Sequence, residues 1–354
     1  MEKIKIAIVG TGSISGEHIK AYQKLDNVEL YAFCDINEAR LNKKGKKYGV
    51  TRLYTDEAQM LRELPEIDAV SICTWNAAHA PCAIMALDAG KHVLCEKPMA
   101  TSLEEAIAMQ EAARRNNRLL MIGFVRRFGH DCETIRDLIN EDALGELYYA
   151  KVAYLRRHGN PGGWFGDKAF SGGGPLIDIG VHVIDLARYL FGNPKPVSVY
   201  GATFSKLGAR KHIKGELAYV SSSTEAYDCN CEDLVSAMVR FDNGAVLSVE
   251  ASFDANLKDN NRIQLLGTKA GVCMDDGLHI TTEYNGYLAD VELDAKTELN
   301  AADAFAAEIQ HFVDCVADEN KTCICPAEDG VALMQILTAI YRSAESGHEE
   351  VIEA

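Results

Sequence analysis

The chain has 354 residues, 47% hydrophobic and 25% charged, a composition suited to two globular cores. A formal net charge of −16, from 52 acidic against 36 basic residues, argues against nucleic acid or an anionic membrane as the main partner. No apolar stretch reaches the length of a membrane span, and the run Ile4 to Val9 is too short for a signal segment, so a cytoplasmic location is expected.

The eleven cysteines are odd in number and scattered, as expected of small hydrophobes in a reducing compartment. The pairs Cys229/Cys231 and Cys323/Cys325 lack the spacing of a common zinc site, and no metal is expected.

Taken in order, Lys3 to Val9 reads as a strand that enters the turn GTGSIS, Gly10 to Ser15. A helical pattern follows to about Leu25, then a strand from Val28 to Cys34 that ends at Asp35. Glycines let the backbone turn tightly and approach a pyrophosphate at the helix N-terminus, and the acid suits ribose hydroxyls. Gly10, Gly12, Ser13, Ile14, Asp35 and Ile36 are therefore the expected cofactor contacts. A carboxylate at position 35 repels a 2′-phosphate, so NAD is expected over NADP. Arg40 reads as a solvated helix charge.

Alternation of strand and helix continues to Phe124 and predicts a doubly wound parallel sheet. Ligands in such sheets bind beyond the carboxyl ends of the strands. The stretch Thr74, Trp75, Asn76 through His79, and then Glu96 and Lys97 before Pro98, fall at those ends. A lysine there either faces the cofactor crevice or is an ordinary solvated strand end.

After Phe128 the period changes. A helix at Asp131 to Asn140 leads to a strand at about Glu146 to Arg156 and then a loop rich in glycine, aromatics and charge. In that loop Arg157 and His158 are candidate donors to substrate hydroxyls; Trp164 either stacks on a sugar face or anchors the loop. The segment Ser171 to Phe191 opens with three glycines and a proline and continues at helical spacing. Asp178, His182 and Asp185 lie at i, i+4 and i+7, one helix face. A carboxylate beside an imidazole orients the ring for general-base work; the plain alternative is a core helix with a satisfied histidine. Strand-like runs recur from Val197 to Tyr284, with a hairpin signal at Asp242-Asn243-Gly244, and two amphipathic helices, Ala302 to Ala317 and Glu328 to Ala344, close the chain. The expected division is 1–124 and 125–354.

These motifs resemble the Gfo/Idh/MocA oxidoreductases: GTGSIS, Cys34 to Asn37, Thr74 to His79, Glu96 to Ala100, Gly123 to Phe128 and Gly172 to Leu186. Trp75 stands where that family often has proline. The resemblance implies an α/β Rossmann domain followed by an α/β domain with a large, open, mostly antiparallel sheet. It also implies a homodimer or homotetramer through that sheet, and a catalytic set matching Lys97, Asp178 and His182.

The expected reaction is NAD-dependent oxidation of a secondary alcohol on a sugar, sugar derivative or inositol, reversible in principle. An imidazole, with an ordinary pKa of about 6.5, suits the base, and a lysine suits the developing alkoxide. Lys97 is the other candidate for the base. Asp185 is a further substrate contact on the same stripe. Two alternatives stay open: a redox-neutral enzyme that retains NAD and cleaves glycosides through a transient ketone, and a nonenzymatic sugar sensor.

Overall fold

The computed structural model describes residues 3–353, apart from 209, 211, 215–219, 222–226, 228, 276 and 295–299. The chain forms two compact units. The first runs through Phe124 and takes back Phe305–Val331; the second holds Val125–Ala304 and the segment from Ala332 on. The return of Phe305–Val331 to the first unit carries no sequence signal, because its helix has the same amphipathic pattern as any packing helix.

The first unit alternates β1 (Ile4–Val9), α1 (Ser15–Tyr22), β2 (Val28–Cys34), α2 (Glu38–Tyr48), β3 (Leu53–Tyr54), α3 (Glu57–Glu63), β4 (Ala69–Ile72), α4 (His79–Asp88), β5 (His92–Glu96), α5 (Leu103–Asn116) and β6 (Leu120–Gly123). The six strands are parallel in the order β3-β2-β1-β4-β5-β6. Ile6, Ala7, Ile8, Val70, Ile72, Val93 and Leu94 are almost wholly buried, as both faces of a helix-covered sheet require. Local chemistry sets the boundaries. Asn37 caps α2 by accepting from Arg40 N, and Ser102 and Glu105 form a reciprocal capping box on α5. The strand order reverses between β1 and β4, so the crevice for a ligand opens past their carboxyl ends.

The second unit begins with α6 (His130–Asn140) and β7 (Leu147–Leu155), then α7 (Lys168–Ser171) and α8 (Val181–Leu190). Strands β8 (Pro196–Phe204), β9 (Leu234–Phe241), β10 (Val246–Ser252), β11 (Asn260–Gly267), β12 (Ala270–Met274), β13 (Leu278–Tyr284) and β14 (Tyr287–Val291) follow. Helices α9 (Ala301–Ala317) and α10 (Ala327–Ser346) and strand β15 (Glu350–Val351) end the chain. Among the described residues the sheet order is β14-β13-β12-β11-β7-β10-β9-β8-β15, antiparallel throughout except for the β7–β10 pair. Along β9, Val235, Ala237, Val239 and Phe241 are buried while Ser236, Met238 and Arg240 face out. One face is therefore covered and the other open. Gly244, at φ +87°, closes the β9–β10 hairpin that its Asp-Asn-Gly signal predicts. Strands β14 and β15 were not predicted. They are the two edges of the sheet, and all of their residues are at least partly exposed, so neither shows the in–out alternation that marks a half-buried strand.

Candidate active site

The turn after β1 passes against the end of β4. A Cβ on Gly10 would lie 2.6 Å from the carbonyl carbon of Cys73 and 2.7 Å from Thr74 N, and Gly10 takes φ +87°. Only glycine lets the two loops meet at the switch point. Ser15, where a third glycine is common, is buried and donates to Gly12 O at 2.8 Å, so it packs without widening the turn. Ser13 and Ile14 lie on the same turn, which opens onto the N-terminus of α1, a ready anion site. Ile36 is 71% exposed, an apolar surface left open beside Asp35.

Asp35 is 5% exposed and heavily engaged. It accepts from Thr11 N at 2.6 Å, Thr11 Oγ1 at 2.7 Å and Asn37 N at 2.8 Å. Arg40 adds a two-pronged contact, Nε to Oδ2 at 3.0 Å and Nη2 to Oδ1 at 2.8 Å. Burial alone would raise its pKa; these donors, Arg40 foremost, hold it below the usual carboxylate range. Arg40 is thus not the solvated helix charge read from the sequence. The short reach from α2 back to the strand end turns it inward. Lys44, one helical turn on, donates to Gly12 O at 3.0 Å, so a second cation flanks the turn.

After β4, Trp75 holds φ −74°, within the range a proline ring fixes, with an extended ψ of 158°, and caps a short 3₁₀ turn at Asn76–Ala78. Thr74 and Trp75 are partly exposed and Asn76 is buried. His79, named as a cofactor contact, is 1% exposed. Its Nδ1 lies 2.7 Å from Pro98 O and its Nε2 3.3 Å from Thr74 O. Burial lowers its pKa, which keeps the ring neutral with its proton on the shorter contact. The imidazole therefore ties the β4 turn to the loop after β5.

Glu96, at the end of β5, is likewise buried. His18 Nε2 lies 2.8 Å from its Oε1, and Lys97 N donates to its Oε2 at 3.2 Å. Burial opposes ionisation, but the bond and charge of His18 prevail and keep Glu96 below its usual range. The pair fixes the backbone from which the partly exposed Lys97 side chain departs. His18 gave no functional signal in the sequence.

In the second unit, Asp178 sits on a single π turn, Leu176–Gly180, which runs directly into α8 and its His182. A π turn takes more residues per revolution than an α turn. It therefore brings Asp178 and His182 closer to one line than ordinary helical spacing does, and both are partly exposed. The N-terminus of this turn is pinned by a residue not foreseen. Glu232 accepts from Gly174 N at 3.0 Å, Leu176 N at 3.4 Å and Tyr341 Oη at 2.8 Å. A carboxylate at that end complements the buried amides that donate to it. The glycines make this possible: a Cβ on Gly173 would strike Tyr341 Oη, and one on Gly174 would lie 2.5 Å from Glu232 O. Asp185 departs from its expected role. It is 1% exposed and both oxygens are gripped by Arg127, so it anchors the helix from inside.

The loop between β7 and α7 carries the remaining candidates. Trp164 stacks on Phe165, with ring centroids 3.9 Å apart, and is partly exposed. Arg157 is exposed; its amide donates to Asp259 at 2.7 Å and its carbonyl accepts from Arg210 at 3.1 Å. His158 lies near Asp254, a buried acid that the sequence did not single out. Burial pushes Asp254 up to about 6 against the opposing charges of His158 and Arg210.

Comparison with known proteins decides the family. Residues 4–124 match the family model of the oxidoreductase family with an NAD-binding Rossmann fold, and residues 132–273 match that of the GFO/IDH/MocA C-terminal domain. The chain belongs to the Gfo/Idh/MocA oxidoreductase family. D-glucoside 3-dehydrogenase of Escherichia coli (strain K12) is 34% identical over 97% of this chain and 96% of its own length. Myo-inositol 2-dehydrogenase of Thermotoga maritima is 25% identical over 99% of both chains. A structure of levoglucosan dehydrogenase in complex with NADH superimposes with a TM-score of 0.86, at 24% identity over 99% of this chain and 100% of that one. This Gfo/Idh/MocA protein is therefore an NAD-dependent dehydrogenase. The glycine turn, the start of α1 and Asp35 fit the dinucleotide, with one condition. Asp35 already receives five donor contacts, more than the roughly four lone-pair sites a carboxylate offers. Ribose hydroxyls gain a place there only as Arg40 shifts.

Proposed function

We propose that the protein oxidises a secondary hydroxyl of a sugar, a glycoside or an inositol to the ketone, in a reversible reaction. The observation that carries this reading is the π turn joined to α8: Asp178 and His182 are left partly exposed while Glu232 and Asp185 secure the same segment from within. Bound NAD supplies the hydride acceptor. The residues of the chain handle the proton. His182 takes it from the reacting hydroxyl, Asp178 orients the imidazole and receives a neighbouring hydroxyl, and Lys97 holds the reacting oxygen as charge develops on it. Arg157, His158 and Trp164 serve the rest of the substrate, His158 with Asp254 behind it. A glucoside is the favoured substrate, supported by the glucoside-oxidising relative that spans nearly the whole chain. The open sheet face is the proposed dimer or tetramer surface.

A panel of glucosides, free hexoses, inositols and sugar nucleotides tests this, with NADH formation and substrate consumption followed side by side. Equimolar NADH and ketone is the expected result. Substrate consumed without NADH would replace net oxidation by a redox-neutral cleavage.

A further inference from the structure

His311, Cys315 and Cys323, none of them assigned to catalysis, bring a ring nitrogen and two sulfurs to within 4.8 Å of one another. Helix α9 supplies the first two. They are four residues apart and so share one face in its last turns. The chain then turns back, with Lys321 N bonded to Asp318 O at 3.0 Å, and presents Cys323 to that face. Immediately beyond, Cys325 O accepts from Ile122 N at 3.0 Å and Pro326 bridges to Met121, so the returning loop is fastened along β6.

The donor atoms suit a cation. His311 Nε2 lies 3.5 Å from Cys315 Sγ and accepts the Ile324 amide at 3.1 Å. A ring nitrogen that accepts is unprotonated, so Nε2 carries the lone pair of a ligand atom, which a bound ion would take over from the Ile324 amide. Cys315 is 5% exposed, while His311 and Cys323 are partly exposed and leave a way in. The carboxylate of Asp314 is taken by Gln310 at 2.6 Å and Lys321 at 2.5 Å, which leaves the three softer donors as the set. Cys323 and Cys325 formed the pair that the sequence offered. The structural pairing instead runs from Cys323 to Cys315, with the histidine one helical turn before it.

We propose that His311, Cys315 and Cys323 bind one Zn²⁺ ion, with water as the fourth ligand, and that the ion clamps the end of α9 to the loop bordering β6. Zinc holds nitrogen and sulfur ligands at about 2.0–2.3 Å in a tetrahedron, so the trio closes by roughly an ångström on binding. Both thiols bind as thiolates, and their protons pass to solvent.

The test uses the full-length protein, stripped of metal and kept reduced without added thiols. Titration with Co²⁺ is expected to saturate at one ion per chain and to give a thiolate-to-cobalt charge-transfer band that Zn²⁺ abolishes. The band is lost in C315S and C323S, and Co²⁺ affinity falls at least tenfold in H311A, while NAD binding persists. Should those variants fail to fold, alkylation of the unaltered protein, mapped by mass spectrometry, decides: Zn²⁺ protects Cys315 and Cys323 together and leaves the exposed Cys229 unchanged. Absence of the charge-transfer band, its survival in the cysteine variants, or equal alkylation with and without Zn²⁺ would overturn the proposal.

Discussion

Arg127 grips Asp185 through two hydrogen bonds, Nε to Oδ2 at 3.0 Å and Nη2 to Oδ1 at 2.6 Å, and neither side chain is more than 1% exposed. The guanidinium also lies over the Tyr189 ring, 4.4 Å from its centroid. The pair joins the 3₁₀ turn Val125–Phe128 to the helix that carries His182. Removing one member leaves a buried, uncompensated charge, which typically costs about 3–5 kcal/mol. Asp185→Ala is expected to lose that much in urea unfolding, and the double variant Arg127→Met/Asp185→Leu to recover most of it. A raised KM for Asp185→Ala with unchanged stability would instead mark Asp185 as a substrate contact.

Asp35 and Arg40 together set cofactor preference. In Asp35→Ser, Arg40 and Lys44 are released beside the ribose site, and the ratio of kcat/KM for NAD over NADP is expected to fall at least tenfold, about 1.4 kcal/mol. In Arg40→Ala the carboxylate is freed for ribose hydroxyls, and NAD binding is expected to hold or tighten while NADP weakens. Parallel kinetics with both cofactors check this. An unchanged ratio in both variants contradicts the assignment.

Burial pushes Glu57, at the start of α3, up to about 7, with the Cys82 thiol giving slight opposing help. Below about pH 4.5 the acid is protonated folded or unfolded. Between there and pH 7 the unfolded chain releases its proton more readily, so stability falls as pH rises through that window. Glu57→Gln is expected to flatten the loss, a difference on the order of 3 kcal/mol between pH 4.5 and 8. Chemical denaturation of both proteins across that range measures it; identical slopes would show that Glu57 ionises normally.

Much of this was legible in the sequence because the signals were local. Strand, glycine turn, helix, strand and acid follow one another within Lys3 to Asp35, and the same residues meet at the β1–β4 switch point. The Asp178–His182 spacing was also visible, but the π turn that aligns them was not, since nothing in i, i+4 counting reveals an extra residue per turn. What could not be read were partners distant in sequence: Glu232 and Tyr341 holding the Gly174 amide, His18 beneath Glu96, and Arg127 on Asp185. Asp185 was read as a substrate contact for this reason, and its grip by Arg127 was not visible. One helix stripe says which side chains are neighbours, not whether the stripe faces solvent or core.

The most direct test of the account is turnover by Lys97→Ala and His182→Ala on the best glucoside or inositol substrate, with NAD affinity measured separately by titration. Removal of a general base or of the group that steadies the developing alkoxide is expected to lower kcat by roughly 10²–10⁴-fold, with NAD affinity close to that of the parent. Near-normal NADH formation by either variant would contradict the proposed chemistry.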